Sequence, residues 1–183
     1  MKCIKGLLAL LVIALIAGVI VMYSGVVNVA ATNPHNPITA FVLSTAMDNS
    51  VRHHAKGIKT PPLDDPRMVM DGFRNYREMC VACHLAPGIA SSEMRKGLMP
   101  EPPKLQEEVE EWSSAELFWI IKNGVKMTGM PAWGPTHSDQ KIWGMVAFLE
   151  KFPHMTAEQY KEMDKMAGPD EDHHHDDEAD HPH

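Results

Sequence analysis

Cys80-Val81-Ala82-Cys83-His84 is the stretch from which the rest of this 183-residue chain is read. A C-x-x-C-H run is the signature of covalent c-type haem attachment. The i, i+3 spacing puts both thiols on one face of a helical turn, where each sulfur can add across a haem vinyl group. His84 then lies under the iron as its proximal ligand. A redox dithiol of the thioredoxin type follows a strand in a βαβ pattern, and no strand-like run precedes Cys80. A structural zinc site needs another Cys or His pair at a comparable spacing. The remaining cysteine, Cys3, lies beyond a membrane-length apolar stretch. One covalent haem c is therefore the expected cofactor.

The flanking sequence predicts helices. Upstream, Asp65 suits an N-cap and Pro66 the first helical position, with Met68, Val69, Gly72, Phe73 and Tyr76 on a buried face leading into Cys80. Gly72 is costly inside a helix unless another backbone comes close. Downstream, Pro87-Gly88 breaks the helix, and the proline-rich run from Gly97 to Lys104 is expected to be irregular and to wrap one edge of the haem. Ser113-Ser114-Ala115-Glu116 is a capping box that opens a helix carrying Leu117, Phe118, Ile120 and Ile121, closed near Gly124. Another helix starts about Ser138 or Asp139, with Ile142, Val146 and Leu149 on one stripe flanked by Trp143, Met145 and Phe148, and ends before Pro153. Thr156-Ala157-Glu158-Gln159 opens a short helix that stops at Gly168-Pro169. Neither strand-like alternation nor an internal repeat is present, so the fold class is all-α.

His84 leaves one iron position to fill. Gly124-Val125-Lys126-Met127-Thr128-Gly129-Met130-Pro131-Ala132-Trp133-Gly134 offers a thioether on a loop stiffened by Pro131 and turned at Gly129. Met130 is the preferred ligand. Met127, nearer the preceding helix, is expected to pack inward, and His137 is a third candidate that would give a bis-histidine haem. Sulfur coordination would raise the potential and close the iron to small ligands. Trp133 is read either as a partner of the haem edge or propionate or as a plain core residue. Pro87 is placed to offer its carbonyl to the other imidazole nitrogen of His84. Most of the fourteen methionines are core filler.

In this order, C-V-A-C-H, K-M-T-G-M-P-A-W-G and K-I-W-G-M-V-A-F-L resemble the proximal motif, methionine loop and C-terminal helix of class I c-type cytochromes. G-F-R-N-Y-R-E-M-C matches the glycine and aromatic that precede the haem motif in that family. The resemblance spans roughly residues 65–153. It implies terminal helices crossing beside the haem, with Gly72 and Tyr76 against Phe148 and its neighbours, and electron transfer without chemistry on a substrate. Leu85-Ala86 departs from the family, where a glycine is common after the haem histidine. YSGVVNVAATNPH and SVRHHAKGI look similar to membrane-anchored bacterial mono-haem cytochromes.

The N-terminal region fits that likeness. Lys2 and Lys5 precede an uncharged apolar run counted to Val27, about 21 residues or roughly 31 Å of helix, enough to cross a bilayer. The basic flank belongs on the cytoplasmic side, which exports the rest. A retained anchor is favoured over a signal cleaved at Val29-Ala30-Ala31 because the run is longer than a usual signal core. Pro37 opens a juxtamembrane helix with Ile38, Phe41, Val42 and Thr45 on its apolar stripe, stopping by Gly57. His35, His53 and His54 are read as solvated polar residues rather than metal ligands. The expected organisation is an anchor (1–31), a juxtamembrane helix and linker (32–64), a cytochrome c domain (65–153), a short helix (154–168) and a disordered tail (169–183).

The formal charge of -7 is local: seven acidic residues follow Gly168, leaving 17 acidic against 17 basic residues before it. No global field favours nucleic acid. The tail interleaves carboxylates with His173, His174, His175, His181 and His183, which are candidate ligands for a divalent metal. Function is expected to be that of a single-pass inner-membrane electron carrier with its haem domain in the periplasm and redox proteins as partners. Lys122 and Lys126 either attract an acidic partner or form a solvated face. The alternatives are a small peroxidase, the haem subunit of a dehydrogenase or oxidase complex, and a metal-binding protein built on the tail. A peroxidase needs an open iron position, which a bound Met130 removes.

Overall fold

The computed structural model describes residues 2–168; the expectations attached to the tail lie outside the described residues. The elements run α1 (Lys2–Ser24), α2 (Pro37–His54), α3 (Pro66–Met79), α4 (Val81–His84), α5 (Glu93–Gly97), α6 (Leu105–Glu108), a 3-10 turn (Val109–Glu111), α7 (Ser114–Asn123), α8 (Asp139–Leu149) and α9 (Ala157–Ala167). No strand occurs among the described residues; a single bridge joins Ala86 and Ile89. The chain divides after His35 into two compact units. In the first, Cys3–Ser24 gives 22 residues of helix long and apolar enough to cross a membrane, about 33 Å against a hydrocarbon core of about 30 Å.

The second unit is built on α3 and α8. Asp65 caps α3 by accepting from the Arg67 amide at 2.8 Å, with Pro66 in the first turn. Gly72 explains why a poor helix former stands in the middle of α3. A Cβ there would lie 1.8 Å from the carbonyl oxygen of Gly144 in α8, so the two backbones touch where any side chain would wedge them apart. Beside this contact Phe73 and Tyr76 are fully buried, with ring centroids 5.4 and 5.1 Å from Phe148. Phe152 extends the cluster 4.8 Å from Tyr76, and Tyr160 of α9 lies 5.2 Å from Phe73.

The sequence pattern gives α8 one apolar stripe with flanking residues, whereas the structure buries every position from Ile142 to Leu149. The reason is that α8 is packed from two sides, by α3 and by α7, where Phe118 stacks on Trp143 at 4.2 Å. Both capping boxes form, at Ser113 for α7 and Thr156 for α9. The helix opened by Pro37 also forms, and its last turns dock on the rest of the unit. Val51 and Ala55 are buried, the Arg52 guanidinium lies 5.7 Å from the Trp112 ring, and His54 stacks on Trp119 at 5.5 Å. His54 is exposed, as expected of a solvated residue, and its ring also makes an aromatic contact, because the basic end of α2 meets the tryptophan of α7.

Replacing Gly72 by Ala should cost about 3 kcal/mol or more of folding stability, since backbone rather than a movable side chain stands in the way. Guanidinium chloride unfolding of the haem-loaded protein measures it.

Candidate haem site

The two cysteines are positioned by the end of α3 and the single turn of α4. The Cys80 amide donates to Tyr76 O at 2.9 Å, and Cys80 O in turn accepts from the Cys83 and His84 amides at 3.1 and 2.8 Å. Both thiols are half-buried and unjoined to each other. Burial, with the Cys83 thiolate adding to it, pushes the Cys80 thiol up to about 12.

His84 is held by one nitrogen. Its Nδ1 lies 2.8 Å from the carbonyl of Pro103 and donates to it, which leaves Nε2 with the lone pair of a metal ligand. Burial lowers its pKa below the usual imidazole value; the bond to Pro103 acts the other way and the Arg95 charge adds to the lowering. The carbonyl is that of Pro103 and not of Pro87, which the sequence favours by proximity. After His84 the chain turns sharply at Leu85 and buries Pro87, while the irregular run 98–104 returns to the imidazole.

Leu85 makes this turn at φ 63°, ψ −175°, a region that side chains disfavour by about 1–3 kcal/mol. A glycine, which the resemblance leads one to expect near this place, would adopt this conformation without that cost. Here the leucine side chain is 4% exposed, and the Tyr76 hydroxyl donates to the Leu85 carbonyl at 2.6 Å. The turn is thereby pinned from the centre of α3. Burial also raises the Tyr76 pKa well above its usual value, so the hydroxyl stays a donor.

On the other side, α7 ends at Gly124 with φ 65°, where a Cβ would meet Pro131 C at 2.6 Å. The loop that follows is closed by its own bonds. The Val125 amide donates to Met130 O at 3.2 Å, the Thr128 hydroxyl to Val125 O at 2.7 Å, and the Met130 amide to Thr128 Oγ1 at 3.1 Å. The loop then folds back on α7, with Trp133 N donating to Ile121 O at 3.1 Å. Met130 is half-buried against the core. Met127, expected inside, is 91% exposed, because its left-handed backbone at φ 64° turns the side chain out of the loop. Trp133 is half-buried and meets His137 edge-on at 5.3 Å. The His137 ring bonds Thr136 Oγ1 through Nδ1 at 2.9 Å. Lys122 pairs with Asp139 at 2.5 Å, and Lys126 is exposed.

The run 98–104 joins the two halves. It places Pro103 on His84, and the Leu98 side chain fills the space where a Gly129 Cβ would stand, 2.6 Å away. Neither contact is legible in the sequence, which shows only that this run is rich in proline. The donors suit a covalent haem: two free thiols on one turn, an imidazole kept neutral with one nitrogen engaged, and a thioether on a braced loop. No group of three or more His, Cys, Asp or Glu able to hold a metal ion occurs among the described residues. Residues 67–149 match the family model described as cytochrome c oxidase, cbb3-type, subunit III. A search of curated proteins gives no match.

The turn at Leu85 is open to a direct test. Leu85→Ala keeps the strain and loses the buried side chain, whereas Leu85→Gly loses the side chain and relieves the strain. The glycine variant should therefore be the more stable of the two by about 1 kcal/mol, the reverse of their order inside a helix. Thermal unfolding of both variants decides it.

Proposed function

We propose that this chain, a c-type cytochrome over residues 67–149 with covalently attached haem c, passes single electrons between protein partners while tethered to a membrane. Cys80 and Cys83 form the thioethers, His84 ligates through Nε2, and Met130 supplies the sixth ligand. The haem, when bound, holds and releases one electron at its iron. The chain's part is to keep the ligand set the same in both states and to exclude water from it. The observation that carries this reading is the inward setting of Met130 on a loop braced by Thr128, with Met127 turned outward.

A fixed ligand set suits electron transfer because little has to move when the charge changes. His84 contributes by its bond to Pro103, which sets the ring's orientation and its tautomer. Helix α1 fits a retained anchor, and Lys2 and Lys5 before the apolar run favour an orientation that puts the haem domain on the periplasmic face of the inner membrane. Encounters with partners are then brief and the docking area small.

A second reading is favoured by the family match itself: the chain serves as the electron-entry subunit of an oxidase or dehydrogenase complex. The His/Met site and the anchor serve either role. Co-migration with a larger redox complex on native gels of mildly solubilised membranes supports the subunit role, and migration of the chain alone supports the free carrier.

Met130→Ala should open the iron and lower the midpoint potential on the order of 0.1 V, within the roughly 0.8 V that axial ligands span. Ferrous wild-type protein should bind carbon monoxide only weakly and the variant readily. Ready binding by the wild type would refute sulfur ligation.

A further inference from the structure

Helix α2 has two faces, and only one is used inside the unit. Its last turns bury Val51 and Ala55 and set Arg52 and His54 on tryptophans of the haem domain. Its first turns present Ile38, Phe41 and Val42 to the outside, 77%, 69% and 55% exposed. Spaced three and four apart, these side chains form one stripe, about a third of a turn round the helix from the Val51–Ala55 face. From Pro37 to Met47 the helix carries no charged residue.

We infer that this stripe is a second membrane contact, seated at the boundary between headgroups and acyl chains, so that α2 lies on the bilayer while its far end holds the haem domain. The inference rests on the reading of α1 as a retained anchor. Three observations identify lipid as the occupant. The twelve residues 25–36 separate α1 from α2, so the start of α2 stays within about 40 Å of the end of the membrane helix even with the connection fully extended. Asn36, Thr39 and Ser44, polar side chains beside the stripe, are bonded within the helix. Asn36 accepts from the Thr39 amide at 3.0 Å and donates to its hydroxyl at 2.9 Å, and the Ser44 hydroxyl donates to Phe41 O at 3.1 Å. Burial of this segment in the interface therefore strands none of these groups. Finally, the charged residues of α2, Asp48 and Arg52, come after the stripe, where the helix leaves the apolar boundary for the haem domain.

The test uses the full-length, haem-loaded protein in vesicles of phosphatidylethanolamine and phosphatidylglycerol, doped with phosphatidylcholine carrying a diazirine in its acyl chain. After illumination, peptide mass spectrometry locates the lipid adducts. Adducts are expected in α1 and at residues 38–42. In Phe41→Glu/Val42→Glu protein with an unchanged haem spectrum, the α2 adducts should fall at least about fivefold while those in α1 persist. Adducts in α1 alone would overturn this inference and leave the anchor standing, and so would chain-to-chain products through residues 38–42, which would give the stripe to a second copy. Adducts in neither helix would overturn the anchor reading and this inference with it.

Discussion

The close approach of α3 and α8 at Gly72 and Gly144 is the constraint on which the haem unit depends. Two helices normally meet through side chains, at axis separations of about 8–10 Å. Here a backbone carbonyl occupies the place of a side chain, so the helices sit closer and their register along each other is fixed. That register brings Phe73 and Tyr76 onto Phe148 and Phe152, and it sets the end of α3, where Cys80 begins the haem-bearing turn. An error of one residue at the crossing would carry the cysteines with it.

The turn itself is held from within this core. Tyr76 reaches from the helix crossing to the carbonyl of Leu85, immediately after His84. Backbone strain at Leu85 is offset by a strong, buried hydrogen bond and by burial of the side chain. The proline-rich run then closes the arrangement, touching the proximal histidine with Pro103 and the methionine loop with Leu98. One irregular segment therefore couples the C-x-x-C-H turn to the methionine loop, which come from distant parts of the chain.

What could be read in the sequence divides along physical lines. Helix ends were legible because their chemistry is local: Asp65-Pro66, the capping boxes at Ser113 and Thr156, and Gly124 all act within four residues of themselves. Gly72 was legible as a demand for close approach, and the thiols and imidazole of the C-x-x-C-H turn as a donor set. Contacts across long separations were not, apart from Gly72 and Tyr76 against Phe148 and its neighbours, which the family resemblance implied. Pro87 and Pro103 offer the same carbonyl chemistry, and only the reversal at Leu85 decides between them. Met127 and Met130 carry the same side chain, and a left-handed backbone at Met127, which no residue type announces, sends it outward. The burial of α8 on all sides depends on how many elements pack on it, which its own periodicity does not encode. Likewise, nothing in the spacing around His54 foretold that it would stack on Trp119.

The docking of α2 has a mechanical meaning. Tension arriving from the N-terminal side enters the haem unit through Arg52 and His54, and so through Trp112 and Trp119, before it can reach α3. The first element to feel a tug is α7, whose end at Gly124 launches the loop that carries Met130, while the turn of Cys80–His84 lies one relay further on. Strain from the leash thus falls on the methionine loop before it reaches the turn of Cys80–His84.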